Sequence, residues 1–369
     1  MTKYEALQNI LAKRERGRML PSVLLIVSIG LVGLIGPVAA ETPPPIEEED
    51  PCQLSDYDHL ERPDPKGTPT RVSVGIYVLD IEKVDDTTQS FSTDFQLQVM
   101  WKDPRLANPA IEHDVGSCQH EWSEVWNPGI ELVDRRGLER QSEDVVEVDS
   151  KGLVTYEQRF FGEIAIPMDL SKFPFDRQSL PISVMAHGFG NSEIMFESDD
   201  DKMGRAESFS INDWAIDDGA TRFSDFYYEP ARRDFPRFDF ILQATRHAEY
   251  YVWQVLVIVA IFVCMTWAVF WLDPSELGSQ IGLTLTATLI LVVYMNRLAS
   301  DLPPVPYLTS VDKFIIGALL FAFLAFVEVV VSCTLFKKGR ADLAYRLDRQ
   351  SRVIFPTAFL IFLIFQFAV

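Results

Sequence analysis

The 369-residue chain is short of cysteine and histidine, with four and five, and short of positive charge, with 33 Lys and Arg against 53 Asp and Glu. It sets no nucleophile beside a base, and it has no H-E-x-x-H stretch and no phosphate loop. Without these the familiar hydrolase, metalloprotease and nucleotide-hydrolysing chemistries have no footing. An enzyme is not expected, nor is a cofactor, a resident metal or a nucleic-acid partner. The acid run "ESDDD" (197–201) reads as a solvated loop, with weak divalent-cation binding as the alternative. Cys264 and Cys333 fall in apolar runs and read as membrane-embedded thiols. Cys52 and Cys118 lie in the polar part, and two cysteines make no framework: they either pair in an oxidising compartment or stay apart. One absence is local. "DLSKFPFDRQSL" (169–180) is a proline-stiffened turn between strand-like runs, and no cysteine flanks it.

The charge and the apolar residues are segregated. Residues 41–245 hold 43 acids and 19 bases, a net charge of −24, and beyond Arg246 long apolar runs take over. The start of the chain reads as a secretory signal over 1–40: a basic "KRERGR" (13–18), an apolar 20–36 and a small-residue "PVAA" before Glu41. An uncleaved anchor is the alternative, since the apolar run approaches spanning length. Residues 41–69 read as a flexible acidic lead-in. From 70 to 246 short alternating segments such as "VSVGIYVLDI", "FSTDFQLQVMW", "LVTYEQRFFGEIAI", "LPISVM" and "FDFILQA" are broken by Gly, Pro and Asp. That pattern predicts an all-β, immunoglobulin-like sandwich.

Residues 247–369 hold four runs near bilayer length, at about 250–272, 278–300, 311–336 and 353–369. The segment 337–352 carries six bases against two acids and reads as a cytoplasmic loop by the positive-inside rule. An exported sandwich followed by four spans puts that loop on the same side. The second run contains Gln280, Thr284, Thr286, Thr288, Asn296 and Arg297. Such groups read as lining water, or as helix–helix glue through threonine hydroxyls.

Several motifs then follow in a distinctive order: "GIYVLDIEKVDDTTQSF", "WKDPRL" (101–106), "VWNP" (125–128), "FPFDRQSL" (173–180), Arg246 before the first span, "FWL" (270–272), "DLPPVPY" (301–307) and "SRVIFP" (351–356). In this combination the stretch from about Val72 to Val369 resembles the prokaryotic branch of the pentameric ligand-gated ion channels, the Cys-loop receptor family. The resemblance implies an extracellular sandwich on a four-helix membrane bundle, assembled as a homopentamer in membrane lipid. The setting implied is a bacterial inner membrane, with the sandwich in the periplasm. The 169–180 turn corresponds to the Cys-loop, with Ile166 and Leu180 in place of its cysteines. Phe173 and Phe175 are then expected against the top of the membrane domain, and Pro174 pre-sets the turn. Asp176 is expected to face Arg246, with Asp86 or Asp85 completing a cluster. That cluster is either a structural tie or the link that couples the sandwich to the pore.

Aligned from Leu302-Pro303, the pore face implied is Gly282, Thr286, Leu289, Val293, Asn296 and Ser300, with Leu289 at the hydrophobic gate. Aligned from Glu276 instead, the stripe becomes Gln280, Thr284, Ala287, Leu291 and Tyr294. Glu276 and Asp301 are the expected selectivity residues, which favours monovalent cations; the Pro-Ala-Arg entry of anion-selective relatives is missing. An anion-selective channel and a non-conducting sensor are the alternatives. The agonist region is "RFSDFYYEPARRDFPRFDF" (222–240), with Phe226, Tyr227 and Tyr228 at its tip, Phe189 opposite and Gln96 on the facing strand. Aromatics there suit an organic cation, although Gln96 stands where amine receptors often carry Trp. Protons are the competing agonist. Yet the acid that a proton-activated relative has near the first-strand turn is Gln89 here, and its pore-helix histidine is Leu291. His247 beside Arg246 is either a titrating group or a plain interfacial residue.

Overall fold

The computed structural model describes residues 50–64, 67–114, 116–273, 277–301 and 305–367. The proposed signal over 1–40 and the first part of the lead-in, together with Glu276, lie outside them. Thirteen strands form in chain order: β1 (Thr70–Asp85), β2 (Ser90–Lys102), β3 (Ser117–Glu121), β4 (Ile130–Leu132), β5 (Arg135–Arg140), β6 (Val145–Asp149), β7 (Leu153–Ala165), β8 (Arg177–Ala186), β9 (Ile194–Ser198), β10 (Gly204–Arg205), β11 (Trp214–Ile216), β12 (Ala220–Tyr228) and β13 (Arg233–Arg246). Alternation of apolar and polar side chains makes β2, β7 and β8 two-faced, and their apolar faces supply the core. One sheet runs β10-β1-β2-β7-β6-β3 with β5 on β7 and β9 on β1; the other runs β11-β13-β8-β4 with β12 on β13. The expected sandwich is formed, and Phe91, Phe95, Trp101, Leu180, Phe238 and Leu242 are among its fully buried core.

The lead-in is not all flexible chain. Cys52 is disulfide-bonded to Cys118 of β3. Tyr57 donates its hydroxyl to Asp103 Oδ2 at 2.8 Å and accepts the Trp126 N–H at 2.9 Å. Asp103 is completely buried and also takes the Arg105 guanidinium at 2.7–2.9 Å, so "WKDPRL" is a cap that receives the lead-in. Residues 50–64 are therefore fastened at both a covalent and a polar anchor. The short helix α1 (Ala110–Asp114) lies nearby in the chain.

Four helices long and apolar enough to cross a membrane follow: Glu249–Trp271 (α2), α3 (Leu277–Asp301), α4 (Ser310–Lys337) and α5 (Ala341–Phe367). Thr309 begins α4 with a capping box, its hydroxyl accepting the Asp312 N–H while Asp312 accepts the Thr309 N–H. The expected start of the fourth helix at 353 is corrected to Ala341. Residues 341–352 contain no Gly or Pro, and Ala344, Asp348 and Ser351 recur at 3–4 spacing on a buried face. The supposed loop over 337–352 is thus a tight turn at Lys338–Arg340 followed by three helical turns, and Pro356 lies inside the helix.

Candidate functional site

Three places collect the residues singled out by the sequence. The first is the junction between sandwich and bundle. β13 delivers Arg246 three residues before α2, and the 169–180 turn delivers Asp176. Arg246 Nε donates to Asp176 Oδ1 at 2.8 Å, and its Nη2 donates to Asp176 Oδ2 at 3.2 Å and to Asp86 Oδ1 at 2.7 Å. The guanidinium is sandwiched between rings, 4.1 Å from the Trp214 centroid and 4.8 Å from Phe173. Gln178 Nε2 donates to Asp176 Oδ2 at 2.7 Å, the third side-chain hydrogen bond to this carboxylate. Arg246 and Asp176 are both buried. Burial works against the arginine's charge, but the bonds to Asp176 and Asp86 outweigh it and raise its pKa. Burial also pushes the Asp86 carboxyl above the usual range, more than Arg246 pulls it down.

Of the two candidate acids in the first-strand turn, Asp86 joins the cluster and Asp85 does not. Asp85 pairs with Lys83 and accepts the N–H groups of Thr87 and Thr88, so it shapes the turn. The Lys83 bond holds its carboxyl below the ordinary range. Phe173, preceding the cis Pro174, is buried with its ring 4.7 Å from Tyr251 of α2. Phe175 is half exposed and meets Phe367 at the end of α5 at 5.8 Å. The same turn is tied from below: the Tyr307 hydroxyl accepts the Leu170 N–H at 3.0 Å, and the Ser310 hydroxyl donates to Ser171 O at 3.3 Å. Where a disulfide would close the loop, Ile166 and Leu180 are buried apolar residues. His247, next in the chain, is solvent-facing, with Nδ1 3.9 Å from Glu249.

The second place is α3. In the protomer Gly282, Thr286, Leu289, Val293 and Asn296 are exposed, Leu289 at 64% and Val293 at 59%. Gln280, Thr284, Ala287 and Leu291 are buried against the other helices, and Tyr294 packs its ring 6.3 Å from Phe262. Gln280 is not a water-facing group. Its Nε2 reaches the carbonyls of Val269, Leu272 and Asp273 at 3.3–3.4 Å, and its Oε1 accepts from Cys333 Sγ at 3.1 Å. The hydroxyls of Thr284, Thr286 and Thr288 each donate to the carbonyl four residues back at 2.8–2.9 Å. Polar glue therefore accounts for Gln280 and the threonine hydroxyls. Ser300 and Asp301 end the helix, with side chains outside those described.

The third place is the end of the sandwich around β12 and β13. Phe226, Tyr227 and Tyr228 are on β12 itself, and the tip is Glu229–Arg232. Strand alternation puts Phe226 and Tyr228 on one face, with ring centroids 6.5 Å apart, and Tyr227 on the other. Phe189 packs against the buried Trp126 at 5.7 Å. Gln96 belongs to the other sheet, facing Tyr77 and Arg159 across the strands and bonded to Glu157, so one protomer does not bring it to the aromatics.

Sequence reading missed His187, Phe235, Glu131, Arg233 and Glu193 here. The His187 ring stacks on Phe235 at 5.5 Å and lies 6.2 Å from Tyr228, and its Nδ1 is 3.5 Å from Glu131 Oε2. Arg233 lies 5.1 Å over Phe235 and donates to Glu193 at 3.0 Å. The Gly190 N–H, then Arg233, depress the Glu193 pKa. Gly129, at φ 62°, lets the "VWNP" turn approach: a Cβ there would lie 2.4 Å from His187 O. Continuing the period-2 pattern of β8 past Ala186 and reading "RDFPRF" as strand would have found His187 and Phe235.

A two-sheet receptor domain clamped by buried charge to four membrane helices defines a membrane receptor of the ligand-gated channel class. The comparisons with known proteins make this specific. Residues 52–248 match the model for the neurotransmitter-gated ion-channel ligand binding domain, and residues 259–342 match the neurotransmitter-gated ion-channel transmembrane region. A proton-gated ion channel of Gloeobacter violaceus is 26% identical over 359 residues, 96% of this chain and 94% of the relative. The human gamma-aminobutyric acid receptor subunit rho-3 is 24% identical over 328 residues, 84% of this chain and 70% of the relative. The chain belongs to the neurotransmitter-gated ion-channel family, the pentameric ligand-gated channels of the Cys-loop type.

Proposed function

We propose that five copies of the chain form a channel for monovalent cations, lined by α3 and opened by an agonist bound at the sandwich. The observation that carries this is the division of α3. Its buried stripe already has partners inside the protomer, whereas Gly282, Thr286, Leu289, Val293 and Asn296 form one uncovered face. Five such faces around an axis give a polar inner mouth and an apolar middle, where Leu289 closes the path by dewetting. Asp301 and Glu276, near the two ends, and the acidic sandwich set a field that favours cations. Current recordings test all of it: Leu289→Ala is expected to open more readily than wild type, and reversal potentials are expected to follow the cation gradient. Potentials that follow chloride would assign an anion channel of the same fold, and absence of current in membrane-inserted pentamers would leave a non-conducting sensor.

The agonist site lies between adjacent sandwiches, with Phe226, Tyr228, Phe189 and His187 on one side and Gln96 on the facing sheet of the next copy. The rings there offer cation–π attraction worth about 0.5–2 kcal/mol each to an organic cation. Protons are the second reading, favoured by Asp86, whose carboxyl burial pushes above the usual range. The junction around Arg246 couples that site to the pore. The sandwich sits in the periplasm and the Lys338–Arg340 turn on the cytoplasmic side of a bacterial inner membrane, after export on the 1–40 signal.

A further inference from the structure

The junction, the pore helix and the aromatic face leave one pair of ionisable groups unused. Glu328 of α4 and Asp348 of α5 are 8% and 3% exposed and lie where the two helices pack near the Lys338–Arg340 end of the bundle. Glu328 stands one turn before Ser332 on the same buried face of α4, and Ser332 is the residue that α5 meets with Asp348, so the two carboxyl groups share one buried patch between the helices. Asp348 Oδ1 accepts the Ser332 hydroxyl at 2.6 Å. Glu328 Oε1 is buried with no partner; among the described membrane helices, Trp267 Nε1 is the one other side-chain atom in that position.

Among the described residues no base is paired with Glu328 or Asp348. Arg352, one turn beyond Asp348, directs Nε to Phe270 O at 3.0 Å and lies 5.3 Å over the Trp271 ring. Lys337 is exposed at the end of α4, two turns from Glu328. The remaining titratable group is the Cys333 thiol, which is turned to Gln280. On the elements packed alongside, α2 has its one charged residue at Glu249, its opposite end, and residues 277–296 of α3 have none. Two carboxylates held together without a base and away from water cannot both carry charge.

We propose that Glu328 and Asp348 form a proton-binding site that clasps α4 to α5. The proton resides on Glu328 and is donated to Asp348, which the Ser332 hydroxyl already supports as an acceptor. Loss of the proton leaves two facing carboxylates and drives the helices apart or admits water. The packing of the outer helix then depends on pH at this end of the bundle. The site stands whether or not α3 conducts.

Infrared difference spectra of the full-length protein in lipid vesicles test it without requiring current, titrated from about pH 5 to about pH 9. The wild type is expected to show a protonated-carboxyl C=O band that is lost as pH rises. Glu328→Gln is expected to lack that band throughout. Asp348→Asn, which keeps Glu328 but removes the facing carboxylate, is expected to keep the band with its midpoint moved to lower pH by one unit or more, a tenfold change in proton affinity. A wild type without a titrating band, a Glu328→Gln variant that keeps it, or an Asp348→Asn variant with an unmoved midpoint would each overturn the proposal.

Discussion

β13 carries two buried charge clusters that are inversions of each other. At its end one arginine, Arg246, sits between two acids, Asp176 and Asp86. Midway along, one acid, Asp239, sits between two arginines, Arg222 and Arg237, at 2.9 and 2.5 Å. Asp239 also accepts the Ser183 hydroxyl at 2.7 Å. The difference lies in what each spans. Ser183 and Arg222 stand directly opposite Asp239 on the adjoining strands β8 and β12, so that cluster is cross-strand glue within one sheet. Arg246 instead gathers the β1–β2 turn of the eight-stranded sheet and the connection that crosses from β7 to β8 of the other sheet, at the entrance to α2. The same chemistry stiffens a sheet in one place and joins three bodies in the other.

The largest effect is therefore expected at Arg246. Arg246→Ala leaves the buried Asp176 and the half-buried Asp86 without a counter-charge, at a cost of about 3–5 kcal/mol. Loss of agonist-evoked current and of assembled protein at the surface checks it. Arg246→Lys is expected to restore assembly but not full response, because an ammonium cannot reproduce the fork to Asp176 and Asp86 or lie flat between Trp214 and Phe173. Asp239→Asn ranks second. It leaves two guanidiniums facing a neutral group and is expected to lower stability by about 1–3 kcal/mol, read as a lower melting temperature. The concentration dependence of the current is expected to stay at the wild-type value, since the sheet loses glue and the junction loses nothing. An equal shift in gating from both variants would erase the distinction.

How much of this was legible depends on how far the partners lie apart in the chain. The alternating segments at 72–81, 91–101, 153–166, 180–185 and 238–244 fall on β1, β2, β7, β8 and β13, the third running one residue past β7, because period-2 burial is written locally. The four spans were legible for the same reason, except that the charged stretch 337–352 read as a cytoplasmic loop and hid the helical turns before 353. Asp176 and Arg246 were found through motif order, which carries tertiary information that periodicity lacks. The choice of Asp86 over Asp85 was hidden, since both are turn acids and only the folded turn gives Asp85 to Lys83. The lead-in was misjudged because its anchors, Cys118, Asp103 and Trp126, are 46 to 69 residues away from their partners. Gln280 was ambiguous because a buried amide and a pore-lining amide look alike until the carbonyls it meets are known.

Asp86 separates coupling from mere tying. Its folded-state pKa is raised by burial, so its pH-linked contribution to stability is present below the unfolded value and is lost as pH rises through the folded one. At neutral pH the charged carboxylate is thus a net burden on the fold. Asp86→Asn is expected to melt no lower than wild type near pH 7, with the difference vanishing below about pH 4. If the Arg246 cluster transmits the opening, the same variant shifts the half-maximal agonist or proton concentration by about tenfold, equivalent to about 1.4 kcal/mol. Asp85→Asn, which touches only the turn, is expected to leave that concentration unchanged. A destabilised Asp86→Asn with unaltered gating would make the junction a structural tie.

The smallest effect belongs to Arg222, and it closes the comparison from the other side. Its side chain is 61% exposed although its partner Asp239 is fully buried. Water screens the outer face of that pair, and Arg237, 18% exposed, keeps Asp239 compensated when Arg222 is removed. Arg222→Ala is expected to cost no more than about 1 kcal/mol, seen as a small fall in melting temperature that disappears in high salt. Arg246 has no such deputy: among the described residues no second cation reaches Asp176 or Asp86, and the further side-chain donor to Asp176 is the neutral amide of Gln178. A loss at Arg222 as large as that at Arg246 would mean that burial of the acid alone sets the cost, and that the number of bodies a cluster joins is irrelevant.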